Sequence, residues 1–392
     1  MRTLRTVVQA SVVLAALVTG YRFAHGFSRI SVETYCPFGG LESALSLFTS
    51  QRFTCAAGER NLALFIGLVV LTLVSRRAFC GWICPVGAVS EWIARLKAAV
   101  QGRRPTFLPP FSPGLDAGLR WLRLCVLILI LWFTYRVGEL VFRGFDPYYV
   151  LFSFHGHDVQ PWSYAVIGGV IAATVAVPML WCRYLCPLGA AILPASALGR
   201  LRIARRREAC IDCGVCDRAC PHALAVATVT EVRSAECTLC AECIGVCPTD
   251  ALHLQGRGGV RMRLPVWVIP AFIALVTALS LLGARVLAIP SVTLEYQASS
   301  VSSLTVVGLL VDGVRCVDTA AQAGKALTDV EGVVRFEAYA SRNRVEVMFD
   351  ATKCSIQEII RALEGPIFDE ESGEYSFGVY RVAEIDGVPV DR

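Results

Sequence analysis

A mean hydropathy of +0.56 and 55% hydrophobic residues over 392 positions exceed what a soluble chain carries. Five long apolar stretches, and a tail in which β-rich and helical runs alternate, complete the picture. Together they predict a membrane α-helical protein of about five transmembrane helices, interrupted by a cysteine-rich insert and followed by an α+β domain. The expected units are 1–199 (four membrane helices), 200–262 (the insert), 263–290 (a fifth helix) and 291–392 (the α+β domain).

The apolar stretches fall near residues 4–24, 61–75, 119–137, 162–181 and 264–288, each close to the length that crosses a bilayer. The first has Arg2 and Arg5 ahead of its apolar run, as a secretory signal would, but no small-x-small cleavage site follows, so a retained helix is expected. Lys and Arg collect in 76–118 (Arg76, Arg77, Arg95, Lys97, Arg103, Arg104) and in 200–207 (Arg200, Arg202, Arg205, Arg206, Arg207). Both segments are therefore expected on the cytoplasmic side of the membrane, as is the N-terminus. Loops 25–60 and 138–161 are expected outside. The tail from 290 onward, with 17 acidic and 9 basic residues, is expected on the outer face, its acidity marking only a solvated face.

The insert reads Cys210-x-x-Cys213-x-x-Cys216-x-x-x-Cys220-Pro221 and repeats 27 residues later as Cys237-x-x-Cys240-x-x-Cys243-x-x-x-Cys247-Pro248. This is the bacterial 2x[4Fe-4S] ferredoxin signature, in which three thiolates hold one cubane and the fourth reaches the neighbouring one. The expected ligand sets are Cys210, Cys213, Cys216 and Cys247 for one cluster, and Cys237, Cys240, Cys243 and Cys220 for the other. Zinc sites use paired CxxC knuckles rather than four-cysteine runs ending in proline. Cluster assembly needs reduced thiols, which agrees with a cytoplasmic module.

A second repeat closes two of the apolar stretches: Phe79-Cys80-Gly-Trp82-Ile-Cys84-Pro85-Val-Gly87 and Trp181-Cys182-Arg183-Tyr-Leu-Cys186-Pro187-Leu-Gly189. Cysteines four apart share a helix face, and the proline either starts a new helix or breaks the old one. Cys80, Cys84, Cys182 and Cys186 thus read as a second site for metal or electron exchange, as redox-active thiol pairs, or as small packing residues at a bend. The spacing alone does not give a ligand.

In loop 25–60, Cys36 and Cys55 are placed to form a disulfide. Equally, Glu33, Tyr35, Phe38 and Glu42 suit a quinone-facing or partner-facing surface, and Pro37-Phe-Gly-Gly suits a simple packed turn. His155 and His157, with Asp146 and Asp158, read either as a metal- or partner-binding pair or as plain loop residues. Cys125, within the third stretch, reads as a packing residue.

In this order, the Tyr35-Cys36-Pro37-Phe38-Gly39-Gly40 loop, the two Cys-x-x-x-Cys-Pro ends and the doubled cysteine run resemble the NapH/MauN ferredoxin-type membrane family. They are also similar to the membrane part of NosR-like proteins and to the CcoG/RdxA group. The similarity covers about residues 1–290. It implies a plasma-membrane electron-transfer protein linking the quinone pool or a cytoplasmic donor to a periplasmic redox protein or an oxidase or reductase complex. It also implies, for some members, service in maturing copper-containing or other respiratory enzymes. The first apolar stretch starts at once, so an outer flavin-binding domain of the NosR type is not expected.

The tail predicts a strand over 304–311, a helix over 319–328, strands over 332–339 and 344–349, a helix over 355–363 and a last strand in 376–382, the βαββαβ order of a ferredoxin-like sandwich. It resembles the heavy-metal-associated domain, with Val311-Asp-Gly313-Val-Arg-Cys316 in the metal-loop position. Thr319 stands where that loop has its second cysteine, so only Cys316 remains, which is insufficient for a two-thiolate Cu(I) site. Cys354 is expected at the other end of the sandwich. A docking or regulatory role, metal binding, and a Cys316–Cys354 disulfide stay open.

No nucleophilic triad, phosphate loop or nucleic-acid motif is present in the sequence. The chain therefore reads as an electron carrier or oxidoreductase subunit rather than a stand-alone enzyme. Its alternative reading is an assembly or metal-homeostasis factor whose clusters reduce a metal ion or a thiol.

Overall fold

The computed structural model describes residues 2–392 apart from 29–30, 51–58, 138–140, 155–158, 257–262, 287–289, 297–302, 315–316, 369–374, 377 and 391–392. Contacts divide the chain into two units. The first comprises 1–38, 64–136 and 141–282, and the second comprises 39–63, 137–140 and 283–392.

Every predicted apolar stretch carries a helix: α1 (Arg2–Ala24), then, beyond α2 (Pro37–Ser50), α3 (Glu59–Ser75). Next come the paired short and long helices α4 (Ala78–Trp82) and α5 (Pro85–Val100), then α6 (Pro113–Leu119) running into α7 (Leu122–Val137). The series continues with α8 (Pro147–Phe152), α9 (Pro161–Ala176), α10 (Pro187–Ala191) and α11 (Leu193–Leu198). Among the described residues, two helical runs, Arg2–Ala24 and Pro113–Arg136, are long and apolar enough to cross a membrane. Two further apolar helices, Pro161–Ala176 and Val268–Ala284, are shorter. Proline opens α5, α8, α9 and α10, where its missing N–H costs nothing.

The cysteine-rich insert is framed by a three-stranded antiparallel sheet of β1 (Leu201–Arg205), β2 (Leu252–Gly256) and β3 (Arg263–Leu264), with Leu201 opposite Gly256 and Arg205 opposite Leu252. Its two loops form α12 (Val215–Arg218) and α13 (Glu242–Gly245). The described residues of the insert share their core with the helices. Leu239, Ile203 and Leu254 pack in one cluster with Leu71, Ala78 and Trp82 from the α3–α4 corner and with Ile269 and Ile273 of α14 (Val268–Val286).

In the second unit, a six-stranded sheet is built from β4 (Val292–Glu295), β5 (Leu304–Asp312), β6 (Val333–Tyr339), β7 (Arg344–Asp350), and β10 (Arg381–Ile385) with β11 (Val388–Pro389). The short hairpin of β8 (Ile367–Phe368) and β9 (Tyr375–Ser376) stands apart. Strand order β11-β10-β5-β7-β6-β4 contains the βαββαβ arrangement at its centre, with β4 and β11 added at the edges. The last core strand is Arg381–Ile385, later than the 376–382 expected, because Tyr375–Ser376 pairs within the hairpin instead. Helices α15 (Val317–Lys325) and α16 (Ile356–Glu364) supply Ala320, Ala323, Ile359 and Leu363 to the core, and a Ser355–Glu358 capping box starts α16.

Candidate functional site

The two four-cysteine runs fold alike. Asp212 and Leu239, Gly214 and Ala241, and Ala223 and Asp250 all take left-handed backbone at equivalent places, 27 residues apart. Gly214 and Ala241 begin α12 and α13 from that conformation, so each loop doubles back on itself and aims its thiols inward. Cys210, Cys213, Cys216 and Cys247 line one small cavity, while Cys220, Cys237, Cys240 and Cys243 line a second. Ala251 donates its N–H to Cys247 Sγ at 3.3 Å. Burial opposes ionisation of Cys247, but this bond and those from Thr249 outweigh it and bring the thiol below its ordinary value. Among the described residues, no three Cys, His, Asp or Glu side chains are placed to hold a single metal ion. Four thiols spread around a cavity suit a larger body, and all-sulfur donors suit an iron–sulfur cubane.

Buried arginines seat this module on the helices. Arg76 is fully buried and donates to the carbonyls of Leu201 (2.9 Å), Arg233 (3.1 Å) and Ser234 (2.6 Å). Arg77 donates to Glu236 (2.8 Å), which also takes two bonds from Arg123. Burial would raise the Glu236 carboxyl, yet the Arg123 bond and the charges of Arg77 and Arg123 prevail and hold it at about 2. Arg5 joins Glu91, Glu242 and the Gly81 carbonyl, and Arg95 joins the same two carboxylates. Trp82 Nε1 donates to the Leu239 carbonyl at 3.1 Å, and Arg183 reaches the Pro221 and Phe107 carbonyls. Arg76, Arg77 and Arg95, expected as a charge signal at a membrane face, are thus ties between helix ends and module. Desolvated charge is tolerated there because Arg77 and Arg95 meet carboxylates and Arg76 meets three backbone carbonyls. Gly81 is required by this closeness, since a Cβ there would stand 2.9 Å from the Thr238 carbonyl oxygen.

The two Cys-x-x-x-Cys-Pro ends do not present both thiols from one regular α-helix, as i,i+4 spacing suggested. In each, the chain widens into a π-type turn and then restarts: Cys84 N–H bonds the Phe79 carbonyl and Cys186 N–H bonds the Trp181 carbonyl, five residues back. Cys84 and Cys186 then act as N-caps, accepting from Gly87 (3.5 Å) and Gly189 (3.4 Å). The proline opens the following helix. All four cysteines line an apolar cavity of about 790 Å³, within the usual range for small-molecule pockets.

Val32, Tyr35, Cys36, Pro37 and Phe38, with Phe142, Asp146 and Tyr148, from segments expected at an outer loop surface, form further parts of this cavity's wall. Val32, Glu33, Thr34, Cys36 and Phe38 are buried, while Tyr35 is half exposed, and Pro37 starts α2 rather than a turn. Cys36 Sγ donates to Asp146 Oδ2 at 3.7 Å, and Tyr148 Oη donates to the Val32 carbonyl at 3.2 Å. Phe142 stacks on Trp181 and meets Phe38 edge-on. Asp146 and Tyr148 thus bring a carboxyl and a phenol into a mostly hydrocarbon wall.

Other expected residues fall elsewhere. Cys125 is exposed on α7 rather than packed. Cys354 lies in the core of the second unit, against Gly332 and the turn before α16, and is a packing residue. Cys55, His155, His157, Asp158 and Cys316 lie outside the described residues, so neither proposed disulfide is described. Glu42 is buried, in the second unit. Glu91, Glu236 and Glu242 were not singled out from the sequence, and Arg5 only as a charge ahead of the first apolar stretch. Ionisable residues in or beside apolar stretches are the signal that could have found them.

Apolar helices joined to a duplicated four-cysteine module define a ferredoxin-type iron–sulfur protein. A model described as a 4Fe-4S binding domain matches residues 59–104 and 159–204, the two Cys-x-x-x-Cys-Pro segments. The chain is 31% identical to an uncharacterized protein of Methanocaldococcus jannaschii over 50% of its own length and 78% of that protein. It is 32% identical to YccM of Escherichia coli K12 over 55% of its own length and 61% of YccM, so it spans less than two thirds of that relative. It is 28% identical to the methylamine utilization ferredoxin-type protein MauN of Methylobacillus flagellatus, over 59% of its own length and 79% of MauN. The chain belongs to the NapH/MauN-type ferredoxin-like membrane protein family. No solved structure matches it.

Proposed function

We propose that the protein carries electrons between a membrane quinone seated in the apolar cavity and a pair of [4Fe-4S] clusters in the module, in service of a periplasmic redox partner. The observation that carries this reading is the cavity itself: a hydrocarbon pocket with one carboxyl, directly behind the helix ends on which the module sits. Cys210, Cys213, Cys216 and Cys247 hold one cluster, and Cys220, Cys237, Cys240 and Cys243 hold the other. The clusters supply one-electron storage at potentials set by charge, hydrogen bonds and solvent access. Oxidation of one quinol to quinone releases two electrons, one for each cluster, and two protons. Asp146 takes the protons in turn and passes them to solvent, and the reverse sequence serves quinone reduction. Phe38, Phe142 and Trp181 supply an aromatic wall against which a quinone ring would pack away from water.

The helices Arg2–Ala24, Glu59–Ser75, Leu122–Val137, Pro161–Ala176 and Val268–Val286 serve as five spans, the shorter ones met by local thinning of the bilayer. The module then faces the cytoplasm and the heavy-metal-associated-like domain faces the periplasm. That domain acts in docking, because Cys354 is committed to its core.

Anaerobically purified protein, mixed with a short-chain quinol, tests the reading by EPR of the clusters. Reduction by quinol, or reoxidation of dithionite-reduced clusters by quinone, supports it. Exchange in neither direction overturns it.

A further inference from the structure

We infer that Cys80, Cys84, Cys182 and Cys186 together hold a third [4Fe-4S] cluster, set between the apolar cavity and the ferredoxin module. The inference rests on the electron-carrier reading and gives it a missing centre. Each pair comes from one copy of the repeat, and the two copies have the same local build. One cysteine sits in a widened, π-type turn after an aromatic residue, and the next caps the following helix. Neither pair suffices alone. The fold brings both to one wall of the same cavity, where Cys84 lies within electrostatic reach of Cys80, Cys182 and Cys186, and Cys182 within reach of Cys186 and Cys80.

Three further features suit a bound anionic cluster rather than packing. Cys84 and Cys186 each accept a backbone N–H from a Cys-Pro-x-Gly turn, the kind of bond that favours a thiolate. The buried Arg77 lies among Cys80, Cys182 and Cys186 and supplies the compensating positive charge. Gly189 makes room for it, because a Cβ there would stand 2.4 Å from the Arg77 guanidinium. The same guanidinium donates to Glu236, next to Cys237 of the module, so one cation spans the gap between the two sets of cysteines. The 4Fe-4S model that matches residues 59–104 and 159–204 covers these four cysteines and not the doubled run.

The test is the iron and acid-labile sulfide content of the full-length protein, purified anaerobically. Four irons per cubane predict about 12 irons for the wild type and about 8 for Cys80→Ser/Cys182→Ser, with the module's EPR signals intact in the variant. A wild type with about 8 irons overturns the inference, as does iron content unchanged in the variant. About 10 irons, or one copper or zinc lost on substitution, also overturns it by putting a different centre at the site. Where the double variant does not fold, the wild-type count decides. A Cys213→Ser/Cys240→Ser variant separates the two readings. If it keeps about 4 irons the third cluster stands alone, whereas a wild type with about 4 irons that this variant retains refutes the paired clusters of the module while supporting the third.

Discussion

Replacing Glu236 by glutamine keeps the shape of the side chain and removes its charge, leaving Arg77 and Arg123 buried without their counter-ion. The carboxyl falls from 4.5 to about 2 in the folded protein, which at about 1.4 kcal/mol per pKa unit amounts to about 3 kcal/mol of stability at neutral pH. Removing one partner of a buried pair costs roughly 3–5 kcal/mol, so two independent routes agree. Because the folded value is depressed, this stabilisation is complete above about pH 4.5 and is lost as pH falls toward 2. The wild type should therefore exceed Glu236→Gln by a constant margin from pH 8 to pH 5.5. Anaerobic denaturant unfolding, followed by visible cluster absorbance and by tryptophan fluorescence, measures it. A margin below about 1 kcal/mol, or one that already shrinks between pH 8 and pH 6, refutes the claim that this carboxylate ties the module down.

Arg5→Met should destabilise the protein by roughly 3–5 kcal/mol, because Glu91 and Glu242 then keep Arg95 and only the half-exposed Arg2, 4.0 Å from Glu242; pairing it with Glu91→Gln should recover part of the loss in a double-mutant cycle. Gly81→Val should cost roughly 1–3 kcal/mol by forcing the Thr238 backbone away, and should lower iron retention at the cavity of Cys237, Cys240 and Cys243 first. Phe336→Ala should destabilise the C-terminal domain by roughly 3–5 kcal/mol, read as faster amide exchange in β5, β6 and β7, with iron content unchanged.

Much of the fold was legible because its signals are local. The apolar stretches, the cysteine spacing and the β-rich and helical runs of the tail each depend on near neighbours, and each gave an element close to its expected place. What was not legible depends on tertiary contact. A buried Arg76 and an exposed Arg103 look the same in a charge count beside a helix, and only the module's carbonyls distinguish them. Cys36 and Asp146 are 110 residues apart, so no periodicity announces that their loops fold in to wall one cavity. The i,i+4 rule placed Cys80 and Cys84 on one helix face, but the proline after Cys84 restarted the chain and turned the second thiol into a cap. Cys125 looked like packing by virtue of its apolar neighbours, whereas α7 is apolar around its whole circumference and gives no preferred face.

The central claim is that electrons pass between a lipophilic carrier in the cavity and the clusters, with Asp146 managing the proton. The most direct measurement is the rapid-mixing rate of cluster reduction by quinol, or of reoxidation by quinone, in wild type and in Asp146→Asn at equal iron content. Loss of a general base predicts a slowing of roughly 100-fold or more, with the clusters' EPR unchanged. An Asp146→Asn variant that exchanges electrons with quinone as fast as the wild type would contradict the account.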